Sequence, residues 1–227
     1  MKDYYEKSMR ALQLAGMSER TQQCYTRSVR QLVDFYNKTP DKISEQQLQD
    51  YFLHRRNVDK WSAATLRISY GGIKFFFVNV LKRDWHTLQL IYAKRERRLP
   101  TVLSLKEVWT ILNAVTTPQN KAYLTTVYTC GLRLHEALYL HVNDIDSDRM
   151  RIHVHRGKGA KDRYVPLSPH ILEILRHHWS THRHLEWLFP ARGPRGKRSP
   201  ATATAPITAR SVQRAFQAAL SESGIQK

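Results

Sequence analysis

The chain has 227 residues, 41% of them hydrophobic, which is enough apolar material for one large or two ordinary domains with real cores. Thirty-seven lysines and arginines against 19 acidic residues give a formal net charge of +18. Such an excess points to a polyanion, with nucleic acid preferred over a membrane surface because no long apolar span or lipidation signal accompanies it.

From the start, Met1 to Lys7 lacks the apolar core of a signal peptide, so a cytoplasmic location is expected. Cys24 and Cys130 then read as packing residues in a reducing compartment. Residues up to about Gln89 read as helix throughout. Apolar residues recur near helical spacing from Lys2 to Ala15, and Gly16 interrupts them. Ser18 can cap a second helix through Tyr36 that buries Val29, Leu32, Val33 and Tyr36. Ser44 and Gln47 form a capping box for a third helix carrying Leu48, Tyr51 and Phe52. Ser62 can cap a fourth through Leu66, Tyr70, Ile73, Phe76, Phe77 and Val80, with Gly71-Gly72 admitting a close neighbour.

Lys94-Arg95-Glu96-Arg97-Arg98 reads as a basic linker, able to let two halves close around a duplex. Another capping box, Ser104 with Glu107, starts the second half, which continues in helices to about Leu140. Gly131 is read as opening an amphipathic helix with Leu134, Leu138 and Val142 on one face, which sets Arg133 in its first turn and Glu136 three residues on. A guanidinium there can grip phosphate oxygens with two parallel bonds while the carboxylate orients it. Taken alone, such a pair is most often a weak surface contact.

After an Asp144-Ile145-Asp146 turn, Met150 to His155 alternates apolar and basic residues as a half-buried strand does, and Tyr164 to Leu167 makes the return strand. Gly157 and Gly159 flank Lys158 at the tip of this hairpin. Tyr164 is assigned a core or cross-strand packing role. A helix follows from Pro169 to Trp179, and from Ser180 to Pro206 periodicity is lost; within that stretch Arg192 to Arg198 and the Ala-Thr repeats after it read as a mobile basic loop. His177, His178, His182 and His184 lie near helical spacing as a metal set would, but no cysteine or well-placed carboxylate joins them, so no metal is expected there.

The glycine-led Arg133-x-x-Glu136 segment and the hairpin Arg156-Gly157-Lys158-Gly159-Ala160-Lys161-Asp162-Arg163 closely resemble the tyrosine recombinase (phage integrase) family, in its Xer-like and integron-integrase branch. The likeness extends through Leu99 to Glu107 and through Arg214-Ala215-Phe216 to Gly224-Ile225. It implies a mainly α fold with a small antiparallel hairpin or sheet: an all-helical core-binding domain over 1–92, a linker over 93–100, and a mixed α+β catalytic domain over 101–227. It also implies DNA strand cleavage and rejoining through a 3′-phosphotyrosyl link, with no cofactor and no metal, and a homotetramer of intact relatives on DNA. By the same resemblance Arg133 is the first catalytic arginine, Glu136 its supporting acid and Lys158 the catalytic lysine. Arg20, Thr21, Tyr25, Arg27, Thr65, Arg67 and Lys74 are candidate phosphate contacts, each with a solvated helix face as the equal alternative. Lys94, Arg95, Arg97, Arg98, Arg156, Lys161 and Arg163 complete the expected DNA-binding set.

Two departures stand out. His135 occupies a position where the family usually has a small hydroxyl residue. The family's helical His-x-x-Arg, a following His or Trp and the nucleophilic Tyr would come just beyond Gly224-Ile225-Gln226-Lys227, so the catalytic domain is expected to be incomplete at its carboxyl end. Either a recombinase lacks its last part, or the product is a DNA-binding module without chemistry.

Overall fold

The computed structural model describes residues 2–83, 99–155, 162–192 and 199–226. Two compact units divide the chain, Met1–Leu99 and Pro100–Lys227. The expected basic linker, with Lys94, Arg95, Arg97 and Arg98, lies outside the described residues.

The first unit is helical: α1 (Lys2–Leu14), α2 (Glu19–Tyr36), a 3₁₀ turn (Pro40–Lys42), α3 (Glu45–Asn57) and α4 (Ala63–Asn79). Helices α2, α3 and α4 start where serines satisfy orphan backbone donors. Ser18, Ser44 and Ser62 accept from the amides of Thr21, Gln47 and Thr65, and Gln47 returns the favour to Ser44 N–H at 3.1 Å. Leu32, Leu48, Tyr51, Ile73, Phe76 and Phe77 are fully or almost fully buried between the helices. Tyr36, expected to be buried, is only half-buried, because its hydroxyl reaches the Gln47 carbonyl at 2.7 Å. The α2/α4 seam explains Gly72: a Cβ there would stand 2.8 Å from Tyr25 Cα and 3.0 Å from the Tyr25 carbonyl oxygen.

The second unit contains α5 (Leu105–Asn113), α6 (Pro118–Thr129), α7 (Leu134–Leu138), a 3₁₀ turn (Val142–Asp144), β1 (Ile145–Asp146), β2 (Arg151–Val154), β3 (Arg163–Pro166), α8 (Pro169–Ser180), a 3₁₀ turn (Pro200–Thr202) and α9 (Ala209–Glu222). The strands form one antiparallel sheet in the order β1-β2-β3, with Ile152 opposite Val165 and Val154 opposite Arg163. Ile152, Val154 and Val165 turn inward and join Tyr123, Leu138, Ile171, Leu175, Phe189 and Val212 in one core. The mainly α architecture with a small antiparallel sheet is therefore the one expected from the sequence.

Three local expectations are corrected. Gly131 does not open a helix. It closes α6: at φ +59° it takes the left-handed conformation, Leu132 N–H reaches back to the Val127 carbonyl at 3.1 Å, and Gly131 N–H approaches the Tyr128 carbonyl at 3.4 Å. The helix beyond is only Leu134–Leu138, with Arg133 at its N-cap rather than in its first turn and Val142 in the 3₁₀ turn. The Asp144-Ile145-Asp146 segment is more than a turn, since Ile145 and Asp146 pair with Ile152 and Arg151. The Ala-Thr stretch assigned to the mobile loop is held in place: Pro200–Thr202 form a 3₁₀ turn, Ala191 N–H reaches the Ala205 carbonyl at 2.8 Å and Pro190 bridges Pro206, while residues 193–198 lie outside the described residues. The aperiodic stretch before it carries the core residues Leu188 and Phe189, and His141 bridges Trp187. Each apolar side chain there is placed by a separate tertiary contact, so no helical or strand period marks it. Among the described residues no helix is long and apolar enough to cross a membrane.

Candidate active site and nucleic-acid interface

The left-handed turn at Gly131 brings the chain out of α6 so that α7 begins on an arginine. A buried tyrosine fixes that start. Tyr123, fully buried on α6, donates its hydroxyl to the Leu134 carbonyl at 2.6 Å, and burial pushes its pKa well above the usual phenol value. With one turn of helix between them, Glu136 folds back on Arg133: Oε2 accepts the Arg133 backbone N–H at 2.8 Å and Oε1 accepts from Nη1 at 2.6 Å.

The sequence reading missed the main partner of Glu136. Arg163 on β3 places Nη1 2.7 Å from Oε1 and Nη2 2.8 Å from Oε2, a parallel two-bond clamp. Arg163 was expected to face DNA; its fork is instead committed to the carboxylate. The signal was present in the strand alternation, since Arg163 shares the inward side of β3 with buried Val165. Glu136 thus accepts four charge-directed bonds with its side chain only 7% exposed. The Arg163 bonds first, then those from Arg133, hold its carboxyl at about 2 despite the opposing effect of burial. Arg133 remains 57% exposed, so its head is anchored by one nitrogen and otherwise open to a ligand.

Arg133 and Glu136 line a cavity of about 1090 Å³ together with His135, Tyr139, His141, Asn143, Asp144, His155 and Asp162. His135 lies parallel to Tyr139, with ring centroids 6.4 Å apart, at the rim rather than in the core. Arg156, Lys158 and Lys161 lie outside the described residues. Tyr164 is 56% exposed, and the expected cross-strand role is the one observed: it opposes His153 with ring centroids 4.7 Å apart, and the Arg151 guanidinium sits 4.1 Å over its ring. A core position is not. The literal string His153-Val154-His155-Arg156 begins on β2, so it is not a helical His-x-x-Arg.

In the first unit the candidate phosphate contacts fall into two groups. Arg20, Arg27, Thr65 and Arg67 are exposed, whereas Thr21, Tyr25 and Lys74 are half-buried. The hydroxyls of Thr21 and Thr65 already bond the capping Ser18 and Ser62, each at 2.9 Å, and Tyr25 packs in the α2/α4 seam against Phe75. Arg20 and Arg27 on α2, with Arg67 on α4, are therefore the most accessible basic groups of the set. The histidines at the end of α8 and just after it serve the fold. His184 Nδ1 accepts from the amides of Glu186 and Trp187 at 3.0 and 2.8 Å, His182 Nδ1 accepts from His184 N–H at 3.0 Å, and burial lowers His178 to about 4.

Comparison with known proteins identifies the ancestry. Residues 4–87 match the model of the phage integrase N-terminal SAM-like domain, and residues 101–227 match that of the phage integrase family. The chain belongs to the phage integrase family. Among its family relatives, the protein y4qK of Sinorhizobium fredii, named for an integrase/recombinase, is 39% identical over 180 residues, covering 79% of this chain and 58% of that protein. An Escherichia coli integrase/recombinase is 33% identical over 73% of this chain and 50% of its own length. Tyrosine recombinase XerC of Bacillus pumilus is 30% identical over 75% of this chain and 57% of its own. The chain thus spans about three fifths or less of the length of these relatives. The family fold is seen in a lambda integrase tetramer bound to a Holliday junction, at a TM-score of 0.75 and 14% identity, covering all of this chain and 64% of that one. It recurs in XerH bound to its difH substrate before cleavage, at a TM-score of 0.65 and 17% identity over 90% of this chain and 62% of that one.

Proposed function

We propose that this chain is the duplex-binding and phosphate-gripping part of a site-specific DNA recombinase that acts in the cytoplasm, as a tetramer when joined to its full catalytic complement. The observation that carries the reading is the Arg133–Glu136–Arg163 cluster at the cavity mouth. An arginine held by its backbone and one nitrogen, yet more than half exposed, is preorganised for a phosphate rather than for a structural pair. Charge developing on the scissile phosphate would meet a fork that needs no reorganisation. Glu136 is the positioning residue, and Arg163 keeps it ionised.

In the reaction that family membership suggests, a tyrosine attacks the phosphorus, a 3′-phosphotyrosyl bond forms, and the 5′-oxygen leaves with a proton. Lys158 is the proposed donor of that proton. The reverse attack by a 5′-hydroxyl rejoins a strand, so the bond energy is retained without a nucleotide cofactor. Arg20, Arg27 and Arg67, with the linker residues Lys94, Arg95, Arg97 and Arg98 and the hairpin residues Arg156 and Lys161, are proposed to neutralise backbone phosphates.

Residues 1–227 on their own are proposed to bind DNA without covalent chemistry, because none of their eleven tyrosines follows a helical His-x-x-Arg. A nicked suicide substrate tests this. Residues 1–227 should shift the substrate in a native gel and leave no adduct under denaturing conditions. An adduct lost on Tyr→Phe substitution at one position would overturn the division of labour.

A further inference from the structure

On the outer face of the sheet two imidazoles and two carboxylates converge, and Asp144, His155 and Asp162 among them also line the cavity that holds Arg133. Ile152 and Val154 point into the core, so alternation sends His153 and His155 to the opposite side of β2. The register pairs His153 with Tyr164 and Val154 with Arg163, which sets Asp162 across from His155. Asp162 Oδ2 lies 3.2 Å from His153 Nε2 and 3.5 Å from His155 Nδ1. From the other side, the buried Asp144 places Oδ1 2.7 Å from His155 Nε2. The imidazole centroids are 3.9 Å apart.

We propose that Asp144, His153 and His155 bind one divalent transition-metal ion of the zinc class at the base of the hairpin, with water in the fourth position. The donor set selects the ion. Two imidazole nitrogens with carboxylate oxygens suit zinc and its neighbours, whereas magnesium and calcium take oxygen ligands almost exclusively. One ligand atom from each of Asp144, His153 and His155 lies within 4.8 Å of the others. Tetrahedral zinc with bonds of about 2.0 to 2.1 Å needs ligand atoms roughly 3.3 to 3.5 Å apart, so binding would draw the three atoms together from their present spacing.

A supporting shell is already in place. Asp144 Oδ2 accepts the His141 backbone N–H at 2.8 Å, which fixes the carboxylate and leaves Oδ1 toward the imidazole. Among the described residues, two neighbouring cations are engaged elsewhere: Arg163 with Glu136, and Arg151 with Asp146 at 3.0 Å and the Tyr164 ring. The ion would fasten the 3₁₀ turn bearing Asp144 to β2, just before the chain runs on to Lys158. This site would stand even if the recombinase reading fell.

The test uses the chain as it exists, stripped with a chelator and titrated with cobalt(II), whose four-coordinate complexes absorb strongly in the visible. A single equivalent should give tetrahedral bands that zinc(II) then abolishes. His153→Gln and His155→Gln should each weaken the affinity by about tenfold or more. His170→Gln and His177→Gln, at exposed positions of α8, should leave it unchanged. Circular dichroism establishes that each variant is folded; the two strand histidines are partly exposed, so their replacement keeps the test valid should Asp144→Asn fail to fold. The absence of tetrahedral bands overturns the site, as does the same affinity in the His153→Gln/His155→Gln double variant.

Discussion

Replacing Glu136 with Gln removes one charge and leaves the shape. In the native chain the Arg163 bonds, followed by the backbone and side-chain bonds of Arg133, lower its carboxyl from an ordinary value of 4.5 to about 2. At about 1.4 kcal/mol for each factor of ten in acidity, that gap is worth about 3 kcal/mol of folding free energy at pH 7. The sign follows from the direction. A depressed folded-state pKa contributes in full above about 4.5, and the contribution is lost as pH falls toward about 2. At pH 3 the same values leave about 1.4 kcal/mol. The Gln variant does not titrate, and every other carboxylate is common to both proteins, so the stability difference should shrink by about 2 kcal/mol between pH 7 and pH 3. Urea unfolding read by peptide-resolved hydrogen exchange over α6 to β3 measures it without mixing in the first unit. A difference that stays constant within about 0.5 kcal/mol across this range would show that Glu136 is not held ionised by its arginines, and the preorganisation argument would fail with it.

Two further substitutions probe the frame that carries the site. Gly72→Ala should destabilise the first unit by about 1 to 2 kcal/mol, because overpacking against the Tyr25 backbone outweighs the gain in helix propensity. Gly71→Ala should be close to neutral, since its new Cβ meets only the Tyr25 ring and hydroxyl, which can swing aside; equal losses at both positions in thermal unfolding would contradict the close-approach account. Tyr123→Phe leaves the Leu134 carbonyl without its 2.6 Å donor and should cost about 1 to 2 kcal/mol in urea unfolding of the second unit, with faster exchange of the α7 amides. Unchanged exchange there would mean that Tyr123 does not hold the start of α7.

Legibility in the sequence followed the range of the forces involved. Ser18, Ser44, Ser62 and Ser104 announce their helices because a cap is a contact three residues long, and all four accept the expected amide. The alternation of β2 was equally local. Gly131 was assigned to the wrong helix because a glycine in a left-handed turn reads alike before an N-terminus and after a C-terminus; only the Leu132 bond back to Val127 distinguishes them. The Arg133–Glu136 pair was visible as a spacing, but its third member sits 27 residues away on β3 and required the sheet to fold under α7. Leu188 and Phe189 were illegible for the same reason, their burial being set by partners distant in sequence.

The most direct test of the central claim, that the chain grips duplex DNA through phosphates, is the salt dependence of its affinity. With a net charge of +18 and roughly 6 to 10 phosphates neutralised, binding of residues 1–227 to a duplex should weaken by about three to five decades between 50 and 200 mM salt. Arg133→Ala should lower that slope by about one phosphate's worth. An affinity that stays nearly flat over the same range, or a slope that Arg133→Ala leaves untouched, would contradict the account.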